Sequence, residues 1–224
     1  MKTKLLSEIQ KLFPDFHPGW RGTPPDVILA NPHFGTLLHG VVCDQVGTPL
    51  FDQPVWAEPA GAITVPLTAE GALGFVENYR PVVAASGGPY PPSTLDDCGV
   101  VSLELPRGFP NPGETAEEAA MREAEEELGL EAASAEMIGR TNANTSYLLT
   151  DQKIIIVTLS GSKAIANRPD HNERIDRTRL LTIGEVVRAI ASGDIFCGIT
   201  KSALMTFFSS DQGQAAYRRF INGG

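Results

Sequence analysis

Residues 108–130 read GFPNPGETAEEAAMREAEEELGL. The stretch opens in a tight loop, because residues 106–114 hold three prolines and two glycines. Thr115 then offers a side-chain oxygen to the first free amides of a helix. Glu118, three residues on, completes a capping box. The spacing predicts a helix to about Leu128, with Gly129 as a left-handed C-cap. Residues three and four apart share a helical face, so Glu123, Glu126 and Glu127 project together. Like charges so placed cost a free helix a few tenths of a kcal/mol per pair. A hard divalent cation such as Mg²⁺, which takes carboxylate and phosphate oxygens, would offset that repulsion. Arg122 can pair with Glu118 and Glu126, each four residues away. The other face, Ala116, Ala119, Ala120, Ala124 and Leu128, is small enough to sit close to a sheet.

Strands surround this helix. TLLHGVVCD at 36–44 reads as a strand, VGTP at 46–49 as a turn, and PVWAEP and AITVPLT as two short strands. ALGFVENYRPVV, 72–83, is another. GVVSLELP, 99–106, alternates apolar and polar residues. After the helix, strands are expected at 135–140, 145–150 and 153–160, with KIIIVTLS apolar enough to be central. A short strand at about 178–181 leads to helices at 183–192, 199–209 and 212–221. Leu5, Ile9, Leu12 and Phe13 predict a helix over 1–13. Residues 14–35, 85–97 and 161–177 read as irregular. The order implies an α+β fold, a mixed sheet with helices on its faces.

The 224 residues carry a net charge of −9, which disfavours a nucleic-acid partner. A phosphate-bearing small molecule stays compatible, because bound cations invert the local field. No apolar run approaches the roughly 20 residues needed to cross a bilayer, and no signal peptide is evident, so the cytoplasm is expected. Cys43, Cys98 and Cys197 lie far apart and read as reduced thiols. His17, His33, His39 and His171 form no zinc-like cluster.

The 108–130 segment resembles the Nudix box: G, five residues, E, seven residues, R-E-U-x-E-E-x-G-U, where U is a bulky aliphatic. Gly108, Glu114, Arg122, Glu123, Glu126, Glu127, Gly129 and Leu130 fall in place, with the small Ala124 at one U position. The resemblance implies a Nudix fold and hydrolysis of a nucleoside diphosphate linked to another moiety. It implies Mg²⁺, with Mn²⁺ as an alternative, on Glu123, Glu126, Glu127 and the Arg107 carbonyl. Gly108, Glu114, Arg122 and Gly129 would be structural members of the box.

Outside the box, FVENYR (75–80), LELPRG (103–108) and LLTIGEVVRAIASGDIFCGITKSALMTFF (180–208) are similar to ADP-ribose and nucleoside-diphosphate-sugar pyrophosphatases. That likeness implies substrate-binding roles for Arg80, Glu104 and Arg107. It makes Glu173, in the loop after KIIIVTLS, a second catalytic candidate beside Glu123. Two features point elsewhere: Ser146 stands where that group carries proline, and Tyr147 is reminiscent of dinucleoside polyphosphate hydrolases. A sensor domain that binds a nucleotide sugar without cutting it is a further alternative. The implied organisation is an N-terminal helix and strand-rich extension over 1–65, which supports a homodimer, followed by a hydrolase domain over 66–224. Trp20 and Trp56 are read as core residues, with interface or base stacking as the alternative.

Overall fold

The computed structural model describes residues 2–16, 27–31, 35–80, 100–164 and 175–222. In chain order the elements are β1 (Lys2–Leu5), α1 (Leu6–Leu12), β2 (Val27–Asn31), β3 (Gly35–Cys43), β4 (Pro49–Ala57), β5 (Gly61–Leu67), β6 (Leu73–Arg80), β7 (Val100–Glu104) and β8 (Arg107–Gly108). There follow α2 (Ala116–Leu128), β9 (Leu130–Thr141), β10 (Leu148–Leu149), β11 (Gln152–Ala164), β12 (Ile175–Leu181), α3 (Ile183–Ser192), α4 (Gly198–Ser209) and α5 (Asp211–Asn222). The chain divides into two units, one of Met1–Ala60 with Asn142–Asp151, the other of Gly61–Thr141 with Gln152–Gly224. Among the described residues no helix is long and apolar enough to cross a membrane.

The first unit is a sheet in the order β1-β3-β4-β10, with β2 also on β3. Residues 2–5, expected at the start of a helix, are extended and pair antiparallel with β3, Leu5 opposite Gly40. The helix starts only at Leu6, and Leu6 and Ile9 bury against Val41 and Cys43. Partner strands, invisible to local periodicity, decide this segment. The same holds for β2, which lies in a stretch read as irregular. The turn at 46–49 forms as expected: Asp44 Oδ1 accepts the amides of Val46 and Thr48, and Gly47 supplies a φ of 96°. The strand expected at 145–150 shrinks to Leu148–Leu149, parallel to β4.

The second unit is a mixed sheet in the order β12-β6-β5-β11-β9, with β7 on β6 and β8 on β5. KIIIVTLS is central, as its composition implies: β11 runs parallel to β5 and antiparallel to β9. Alternation along it feeds two cores. Ile154 and Ile156 join Ile63, Val65, Phe75 and residues of α3, α4 and α5, such as Val186, Leu204 and Phe207. Ile155 and Val157 join Ala62, Val76 and the alanines of α2. The sheet is thus sandwiched between α2 and the three later helices, the expected α+β arrangement.

β9 and β11 are longer than their apolar cores suggest, since a long antiparallel ladder satisfies backbone groups beyond the hydrophobic stretch. β11 therefore extends to Ala164 and β12 begins at Ile175, both inside the span expected to be loop. On the α2 side, Ala119, Ala120 and Ala124 are fully buried. Thr64 Oγ1 donates 3.2 Å to the Ala120 carbonyl. Gly74 leaves the space that the Leu128 side chain fills. The small-residue stripe read from sequence is what brings the helix this close to the strands.

Candidate active site

Helix α2 is capped as its sequence dictates. Thr115 is extended, accepts the Glu118 amide at 3.2 Å, and donates its own amide to Glu118 Oε2 at 2.8 Å. Gly129 is left-handed, with φ 69°, and its amide reaches the Glu125 carbonyl at 3.0 Å. The cap occupies Glu118, so the Arg122–Glu118 pair read from spacing gives way to others.

Arg122 is the hub of the site. Its Nε donates to Glu114 Oε1 at 3.0 Å and its Nη2 to Glu114 Oε2 at 3.2 Å, a bidentate clamp from the loop onto the helix. Nη1 donates to Glu123 Oε1 at 2.7 Å and to Glu126 Oε2 at 2.8 Å. Nη2 also donates to the Phe109 carbonyl at 3.1 Å, a tie that sequence did not reveal. One guanidinium thus joins three acids and the 108–114 loop. The Arg122 hydrogen bonds are the largest cause holding the Glu114 carboxyl below its ordinary pKa, aided by the Asn111 amide. Burial by itself would ease the Arg122 proton off. The bond to Glu114, the charge of Glu123 and the bonds to Glu126 and Glu123 outweigh it and raise the Arg122 pKa.

Glu123 and Glu127 are buried, and Glu126 is partly exposed one turn away. β8 brings the loop against them, since Gly108 pairs with Ala62 and Arg107 with Ile63 on β5. A methyl group on Gly108 would fall within the Glu123 carboxylate, so the Glu123 side chain would have to move to admit it. Gly108→Ala is expected to push Glu123 out of line. Thermal denaturation should show a loss of about 1–3 kcal/mol, the scale of overpacking at a buried site, together with a matching drop in activity.

Three carboxylates on adjacent turns of one helix have the donor chemistry that suits a hard divalent cation. Glu123 and Glu126 as they stand are drawn to Arg122. Among the described residues, no three His, Cys, Asp or Glu side chains converge as a cation cage. The residues suit such an ion by donor type.

Arg80 and Glu104 meet as an ion pair, with Nη2 2.6 Å from Oε2 and Nε 3.1 Å from both carboxylate oxygens. Val76 belongs to the α2 core and stands opposite Glu104, so the pair lies on the face of the sheet that α2 covers. Arg107 is half-buried at β8. Glu173 lies outside the described residues, as do Cys98, His171 and Trp20. Asn78 and Ser102 are buried polar residues on the Arg80–Glu104 face that sequence reading passed over. The alternation of VVSLE carried the signal, since it sets Ser102 beside Glu104 and away from apolar Leu103.

The NUDIX domain family matches residues 87–195 of the chain. Residues 87–195 thus carry a Nudix domain, which supports a hydrolase that acts on phosphoanhydride bonds. Its fold is similar to the crystal structure of an ADP compounds hydrolase, with a TM-score of 0.61 over 88% of this chain and 100% of that one. The two share 18% identity, so the likeness is one of fold. No curated protein matches the sequence.

Proposed function

We propose that the chain is a divalent-cation-dependent pyrophosphatase that splits ADP-ribose or a related nucleoside-diphosphate sugar into a nucleoside monophosphate and a sugar phosphate. The observation that carries the reading is the Arg122 hub, which organises Glu114, Glu123 and Glu126 at a loop whose Gly108 lies against Glu123. The Arg80–Glu104 pair supports it, because its guanidinium can bind a diphosphate with two parallel bonds. The fold's likeness to an ADP compounds hydrolase agrees.

Glu123, Glu126, Glu127 and the Arg107 carbonyl would hold Mg²⁺, with Mn²⁺ as an alternative. The ion, when bound, polarises phosphoryl oxygens and eases deprotonation of water. The chain's own residues do the rest. Arg122 fixes Glu123 and Glu126 relative to each other. Arg80 and Arg107 orient the diphosphate and offset the charge that builds on it. Glu123 and Glu173 are the groups we assign to take the proton from water. We assign the 1–65 extension to homodimer formation and the hydrolase role to 66–224, in the cytoplasm.

Incubation with Mg²⁺ and a panel of ADP-ribose, nucleotide sugars and dinucleoside polyphosphates, with product analysis, tests this. Nucleoside monophosphate and sugar phosphate are the expected products. Preferential cleavage of dinucleoside polyphosphates would replace the substrate assignment. Tight binding without turnover across the panel would make the chain a sensor.

A further inference from the structure

The β6–β7 ladder carries polar residues on its α2 side that the reading above does not use. Leu73, Phe75, Leu103 and Leu105 point into the core of the opposite face. Alternation therefore sets Asn78 and Arg80 of β6 with Ser102 and Glu104 of β7 on one face. Asn78 stands directly opposite Ser102, Val76 opposite Glu104, and Arg80 opposite Val100. The Arg80–Glu104 ion pair thus runs diagonally across the ladder, over the midpoint where Asn78 faces Ser102.

Ser102 is 1% exposed, and its hydroxyl has no hydrogen-bond partner. Asn78 is 3% exposed. A buried hydroxyl without a partner costs stability that an alanine would not, so its presence calls for a use outside the ligand-free fold. Serine offers one donor and two acceptor sites, and the asparagine amide offers both kinds. Neither carries charge. Such a pair matches a neutral, hydroxyl-bearing group better than a phosphate.

We infer that Ser102, with Asn78, forms a subsite for hydroxyl groups of the substrate's sugar, covered in the ligand-free protein by the Arg80–Glu104 pair. The inference rests on the pyrophosphatase reading. A diphosphate that recruits the Arg80 guanidinium draws it from its diagonal path over the ladder, and the substrate's own hydroxyls then reach the uncovered pair. The bound state gives Ser102 the partner it lacks, so the subsite favours sugar esters over other diphosphate esters.

The test compares two substrates of the full-length protein. One is a nucleoside diphosphate esterified to a sugar, the other the same nucleoside diphosphate esterified to methyl. The ratio of their kcat/KM values should fall about tenfold in Ser102→Ala, the worth of one hydrogen bond to a buried group, chiefly through KM of the sugar ester. Ser102→Thr, which keeps the hydroxyl, should restore the ratio, and Ser102→Val should not. Melting of Ser102→Ala should occur at or above the wild-type temperature. An unchanged ratio in Ser102→Ala, whether both activities fall or neither does, would overturn the subsite. Wild-type protein that cleaves neither ester would instead remove the underlying pyrophosphatase reading, and the subsite with it.

Discussion

Glu127→Gln should lower turnover by about 10³-fold while leaving the fold intact, the scale on which loss of one placed catalytic group acts. Glu127 is 3% exposed on the acidic side of α2. Glutamine matches its shape and removes its charge. The Thr115–Glu118 cap, Gly129 and the alanine face, which build the helix, all stay. Three carboxylates on one stripe repel each other, and taking one away relieves the helix slightly. The far-UV circular dichroism spectrum and melting temperature should therefore hold. What falls is affinity for a hard cation, since a neutral amide is a poorer ligand for it. Titration of the variant with Mn²⁺ reads that loss without any turnover. Wild-type turnover together with wild-type cation affinity would take Glu127 out of the site.

Arg122→Ala should destabilise the box through several contacts at once. It removes the shared partner of Glu114, Glu123 and Glu126 and the donor to Phe109. Stranding acids around a lost cation costs more than an exposed ion pair is worth, and the partial exposure of Arg122 moderates it. A loss of about 2 kcal/mol is expected, or roughly 4–8 °C in melting temperature for a chain of this size. The variant should also regain stability when Mg²⁺ is added, by more than wild type does, because an added cation neutralises the stranded acids. A melting temperature within about 1 °C of wild type would show that the loop stays closed without the guanidinium. Arg122→Lys separates charge from geometry, since an ammonium cannot span Glu114 and Glu123 as the planar fork does.

Much of the helix and its chemistry was legible in the chain. The cap residues Thr115, Glu118 and Gly129 act through neighbours a few positions away, so local sequence carries them in full. The alanine stripe and the carboxylate stripe follow from a period of 3.6, and burial of the alanines agrees with it. The central place of KIIIVTLS followed from its apolar run. Elsewhere the signal was absent. Lys2–Leu5 and Val27–Asn31 are strands because β3 pairs with them, and nothing within those residues announces a partner. The second half of β11 is polar and extends on backbone bonds to β9.

The site divides along the same line. Order along 108–130 by itself determined which acids share a face and where the helix begins and ends, because those depend on contacts within a turn or two. Spacing offered Arg122 the partners Glu118 and Glu126. Tertiary structure replaced Glu118 with Glu114 and Glu123, since the cap claims one carboxylate and the loop delivers another. It alone decided that Gly108 lies against Glu123, that Arg80 crosses to Glu104, and that the Ser102 hydroxyl is buried. Each of these joins atoms on separate strands or loops, and their separation is set by sheet register rather than by position in the chain.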